Sequence, residues 1–422
     1  MRARARRWLG LAAAAAVAGG CTEDPLTGVD GGTAPGQTSP TVELELGPSD
    51  LVSWRDTTLT GFVTASDASF RILANDSTMR GRILARFATI PDSILVDTTR
   101  FPVSSFDSLF LRLVVDTAGS SFGADSMRIE MFALTRPFVD REATWTEASA
   151  GAPWMMPGGD LGTPLGALTV TALDDTLRVP FDAVSADSIL SSWRAAQGAE
   201  GMAVRTVGSQ GRLRITNVGL QFLSRSASPD TALLTLRSAA EQTFIFDPPT
   251  PPTGQALRLG GLPGARAYLD FILPDTAGAL PLRGSTINRA ALILRPLAPP
   301  GTPFALSQAL NGSALRLLAD PFVLGPRTPI GRTLGLTLTP LDPDSLAARA
   351  PIQFDVTSLI QEWAAADPDS LSTLRVAIRP LPEGFELGYW EFGSGESAPA
   401  DRPSLRIIVT PPVGFDVPGA RR

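Results

Sequence analysis

The chain has 422 residues, 44% of them hydrophobic, with 42 acidic side chains against 36 basic ones and no histidine. Every basic residue is arginine and there is one cysteine, which leaves no Ser-His-Asp or Ser-Lys nucleophile, no Schiff-base or P-loop lysine and no imidazole–thiolate zinc site. Without the four arginines of residues 1–20 the balance is 32 cations against 42 acids, a net charge of −10, which disfavours a nucleic-acid surface.

Residues 1–20 place Arg2, Arg4, Arg6 and Arg7 before an apolar run from Leu9 to Gly20. That run is too short for a finished membrane helix and has the build of an export signal. Ala18, Gly19 and Gly20 lead into Cys21, an arrangement that resembles a bacterial lipobox with Ala18 where that pattern prefers Leu. The resemblance implies cleavage before Cys21, diacylation of its thiol and acylation of the freed amine. The chain would then be held at the cell envelope, on the outer membrane of a cell that has two. The alternative is an ordinary cleaved signal with Cys21 as a stray thiol. Residues 21–40 are mostly Gly, Thr, Pro, Asp and Ser, which predicts a disordered tether.

From residue 41 onward short apolar segments alternate with turn residues, as at 82–87, 108–115, 127–134, 213–220, 266–271, 290–294 and 334–338. Several alternate at period two, and long amphipathic helices are absent, which predicts an all-β, antiparallel sandwich. The pattern also repeats. Phe181-Asp182 followed by Ser188 to Trp193 matches Phe354-Asp355 followed by Ser358 to Trp363. In both, two branched aliphatics precede the Trp by three and four residues, one face of a short helix that would plug one end of a sandwich. Ser358 with Gln361 also fits a capping box. Residues 82–87 parallel 266–271, 110–114 parallel 291–294, and 228–234 parallel 400–406. The predicted organisation is a signal at 1–20, a tether at 21–40, a first sandwich at 41–240, a proline-rich spacer at 241–254, a second sandwich at 255–412 and a tail at 413–422.

The segment Glu142-Ala143-Thr144-Trp145-Thr146-Glu147-Ala148, with Pro153-Trp154-Met155-Met156-Pro157-Gly158-Gly159-Asp160, resembles the DNRLRE-type domains of exported bacterial proteins and the related family-96 carbohydrate-binding modules. The Phe-Asp…Trp plug and Asp401 to Leu405 fit the same pattern. The resemblance implies tandem jelly-roll-like sandwiches on a cell-surface protein, some relatives of which bind polysaccharide. The second copy lacks both loop motifs.

Trp145 and Trp154 are the candidate ligand-binding residues, as aromatic faces for a pyranose, with Glu147 and Asp160 as acceptors for its hydroxyls. The competing reading has both rings closing the sandwich edge, which is where large aromatics in sandwiches mostly go. Tyr389-Trp390 beside Glu391 is a weaker aromatic site. Asp-rich turns at Asp174-Asp175, Asp342-Pro343-Asp344 and Asp367-Pro368-Asp369 could ligate calcium, but they are equally what plain turns require, and no metal or other cofactor is expected. The functional expectation is a non-catalytic, lipid-anchored envelope protein that binds an extracellular polysaccharide. Two alternatives are an assembly lipoprotein contacting another envelope protein and a glycan hydrolase or lyase working through two carboxylates.

Overall fold

The computed structural model describes residues 41–412 apart from 77–78, 88–89, 122–125, 183–185, 196–200, 209–210, 228–229, 248–255, 263, 298–310, 339, 368–372 and 385–387. Cys21, the signal, the tether, the tail and residues 248–254 of the spacer lie outside the described residues. The chain is all-β, and among the described residues every strand pairing is antiparallel. Two large apolar cores form: one from residues between 68 and 244, the other from residues on both sides of that stretch, Leu46 to Leu51 and Leu257 to Val409.

The strands follow from alternation. In Met127–Leu134, Met127, Ile129 and Met131 point into the first core while Arg128 and Glu130 face out. Ala265–Ile272 follows the same rule with Ala267, Leu269 and Phe271 in the second core, but its polar face is covered as well. There Asp270 is buried, accepting from Arg55 at 2.7 Å and Arg375 at 3.3 Å, and Arg266 is paired with Glu383 at 2.7 Å. A buried carboxylate is tolerated because two guanidiniums compensate it.

The two bodies share one pairing diagram. In the first, the order is Leu161–Val170, Met127–Leu134, Met202–Val207, Arg80–Phe87, Asp230–Phe246, Arg212–Ala227, Ser105–Ser121 and Thr176–Pro180. In the second, Ile330–Leu336, Asn311–Leu317, Thr373–Leu381, Ala265–Ile272 and Ser53–Thr60 form one layer. Its other layer is Val42–Leu46, Ser404–Thr410, Thr286–Leu294 and Ile352–Asp355. These strands correspond one to one except for a single element, while Arg71–Asn75 in the first sheet and Leu257–Gly260 with Tyr389–Phe392 in the second lie beside them. Asp230–Phe246 pairs first with 219–227 and then with 81–87, and its two halves are matched by Val42–Leu46 and Ser53–Thr60. In the first body this element comes last in the chain; in the second it comes first. The second body therefore has the strand order of the first, circularly permuted.

This places the domain boundaries differently from the sequence reading. Residues 41–60 do not belong to the first sandwich, because all five residues of Val42–Leu46 pair with 405–409 and all eight of Ser53–Thr60 with 265–272. Residues 241–246 finish a strand and are not spacer. The matching of 228–234 with 400–406 is also displaced, since Ser404–Thr410 occupies the place of 219–227.

Each body closes the far ends of its strand order. Asp182 N–H donates to Leu165 O at 2.9 Å in the first, and Leu338 N–H to Gln353 O at 2.9 Å in the second. The plug helices are Ala186–Ala195 and Thr357–Ala365. Leu359, Ile360 and Trp363 are all buried, whereas Trp193 is half-buried against Phe87 and Phe181. The capping-box expectation fails: the second helix starts at Thr357 with Val356 at its N-cap, two residues earlier than Ser358 as cap would set it, Asp355 accepts from Thr357 N–H, and Gln361 donates to Ile287 O instead.

Candidate functional site

Strands Met127–Leu134 and Leu161–Val170 are neighbours, and the chain between them makes the excursion 135–160 over the outer face of the sheet. Alternation prepares that face. Ile83, Ala85, Val204 and Phe244 point into the main core, so Leu84, Ala203 and Ile245 point out, and the excursion covers them with Phe138, Ala143, Trp145, Ala148 and Trp154. The result is a small second core with one wall of sheet and one of loop.

Both tryptophans are interior to it, Trp145 6% and Trp154 5% exposed. Trp154 Nε1–H donates to Thr144 O at 3.0 Å, so its polar edge is used within the loop. Arg82 and Arg80 lie over Trp145 at 5.1 and 5.3 Å from the ring centre. Gly158 and Gly159 sit at φ +92° and +99°, and a Cβ on Gly158 would stand 2.8 Å from the Arg82 guanidinium and 2.9 Å from the Trp145 ring. The turn thus requires glycine, and it sets Gly158 O to accept from Arg82. Burial, followed by the charges of Arg205 and Arg80, pushes the Arg82 guanidinium down to about 10, still a cation at neutral pH.

The structure brings the four sequence-predicted residues into one loop, but not as a sugar platform. Stacking needs an open ring face, and neither tryptophan has one. Asp160 Oδ1 accepts from the amides of Met155 at 2.7 Å and Met156 at 3.2 Å, and its Oδ2 lies 3.8 Å from Arg136. It is buried and holds the turn rather than a ligand. Glu147 is half-buried, and its backbone closes a tight turn with Thr144. The second aromatic candidate is packing too: Trp390 is buried, and Glu391 pairs with Arg258 at 2.9 Å, whose guanidinium covers Tyr389. Among the Asp-rich turns, Asp342 accepts from Ser345 N–H at 2.7 Å, capping the helix Pro343–Ala347. Among the described residues, no group of three or more Asp, Glu or Cys side chains converges as a metal site would require.

What sequence reasoning missed is a cleft of about 290 Å³ beside Trp145. It lies between 141–146, the end of strand Asp230–Phe246, residues 64–65 of the connection that follows Thr60, and Leu262 of the second body. Its apolar lining is Ala65, Ala143, Trp145, Phe244, Ile245, Phe246 and Leu262, and its polar lining is Arg141, Glu142, Thr64, Thr144 and Thr146. Glu142 is the one carboxylate there, and it accepts from Ala150 N–H at 3.0 Å. A glycosidase needs two facing carboxylates, which this lining does not supply. A sugar's hydroxyls would find few partners on these walls, whereas an aliphatic or aromatic side chain would be desolvated.

No protein-family model matches the chain, and no curated protein is significantly similar to it. Among the described residues, no helix is long and apolar enough to cross a membrane.

Proposed function

We propose that the chain is a non-catalytic assembly lipoprotein of the bacterial cell envelope. It is anchored by acyl chains on Cys21 and docks another envelope protein through the cleft beside Trp145. The observation that carries this reading is the burial of Trp145 and Trp154, which removes the stacking surface and leaves an apolar cleft in its place. The lipobox-like sequence before Cys21 and the likeness of 142–160 to DNRLRE-type domains support the envelope setting. In this arrangement the anchor leads first into strand Val42–Leu46, so the permuted sandwich is the one next to the tether.

Crosslinking in cells followed by co-purification tests the docking. A stoichiometric protein partner is expected with the parent chain and is expected to disappear with Thr146→Arg, which fills the cleft from an exposed lining position. Recovery of the same partner with Thr146→Arg counts against the cleft. Retention of the parent on a polysaccharide affinity gel, with no protein partner, replaces this reading with glycan binding. For the anchor, intact-mass analysis is expected to show a chain beginning at acylated Cys21, and Cys21→Ala is expected to leave an unacylated product.

A further inference from the structure

Asp230–Ser238 is the exposed half of the long last strand of the first body. Its nine residues pair one-to-one with 219–227, and among the described residues nothing pairs with its other edge. Unlike most free edges it carries exposed leucines on both faces, Leu233 on one and Leu234 and Leu236 on the other, exposed by 42%, 55% and 60%. It contains no Pro, Gly or Lys, and Asp230 and Arg237 are its only charges, one near each end. Edges are ordinarily guarded by charge, proline or a bulge. The matching edge of the second body, Val42–Leu46, is guarded, with exposed Glu43 and Glu45 held by Arg406 at 3.3 and 3.4 Å and Arg295 at 2.6 Å from Glu45. Two strands with the same place in one diagram thus differ in the feature that prevents strand addition.

We propose that this edge joins two copies of the chain, Asp230–Ser238 of each lying antiparallel to that of the other about a two-fold axis at Leu234. The occupant is a second copy because the strand complements itself. An antiparallel approach brings the acidic end of one strand to the arginine end of the other. The free edge runs from 230 to 238, so full overlap puts the axis at its middle residue, Leu234. In that register Leu234 faces its own copy, Leu236 faces Ala232, and Arg237 faces Thr231, so the leucines are covered and no like charges meet. The backbone is ready for it. Alternate residues of an antiparallel strand address opposite neighbours, and Ala227 opposite Asp230 closes a two-residue connection, so 231, 233, 235 and 237 address the open side.

The test is sedimentation of the full chain in density-matched detergent, with Leu234→Lys and Leu234→Cys. A reversible dimer is expected. Leu234→Lys sets two cations face to face and should raise its dissociation constant by on the order of tenfold or more, with melting of the dilute monomer unchanged. Leu234→Cys should form a disulfide dimer under mild oxidation, at a level that the parent, whose one cysteine is Cys21, and Glu43→Cys do not reach. A monomer at all concentrations, a dimer insensitive to Leu234→Lys, or equal crosslinking from Glu43→Cys overturns the proposal.

Discussion

Trp145 and Trp154 carry their loop rather than a ligand, and the cost of removing them should show it. Trp145→Ala and Trp154→Ala each empty most of a small core and are expected to destabilise the first body by about 3–5 kcal/mol, measured by denaturant unfolding. A loss below about 1 kcal/mol would mean the rings do not hold the loop. Glu45 offers a different reading at the same scale. Hydrogen bonding from Ser404, against some desolvation, and then Arg295 and Arg406, hold its carboxyl below the usual range. Its ionised form is favoured in the folded chain, so its contribution is present above the unfolded value of ~4.3 and is lost as pH falls through the lower folded value. The stability difference between parent and Glu45→Gln should therefore be constant from about pH 7 to 5 and shrink below about pH 4. A difference that stays level down to about pH 3 would remove Glu45 from this role.

At the scale of elements, closure of the strand order depends on contacts that only small residues allow. Gly166 sits at φ +154°, and a Cβ there would stand 2.1 Å from Pro180 O, at the seam where Asp182 meets Leu165. Gly166→Ala is expected to cost at least about 2 kcal/mol in urea melts. Gly208→Ala, also at positive φ but with open space around it, should cost about 1 kcal/mol. Equal costs would mean the seam is not tight. Most elements were legible in the sequence, because period-two alternation in 127–134 and 266–271 and the aliphatic-to-tryptophan spacing before Trp363 are local signals. The boundaries of the bodies were not. Val42-Glu43-Leu44-Glu45-Leu46 reads as a strand, but nothing in it says that its partner lies some 360 residues away, at Ser404–Thr410. The loop residues were found, and of the two readings of their direction the one with both rings closing the sandwich edge agrees with their burial over Leu84 and Ile245, whereas the sugar-platform reading does not. The cleft had no sequence signal at all, because segments far apart in the chain form it.

For the whole molecule, the consequence is that the first sandwich is inserted into the second. The chain leaves the permuted body after Thr60 and returns to it at Leu257. Val42 stands opposite Val409, as Asp230 stands opposite Ala227 where a short turn joins them, so a turn of the same kind would restore the unpermuted order. The most direct measurement compares 256–412 alone with the permuted chain 256–409, a two-residue turn, and 42–61, by amide chemical-shift dispersion and cooperative melting. Folding of the permuted chain, with 256–412 alone unfolded for want of two strands and of Leu46 and Leu51 in its core, is the predicted result. Equal folding of 256–412 without residues 41–61 would contradict the permutation.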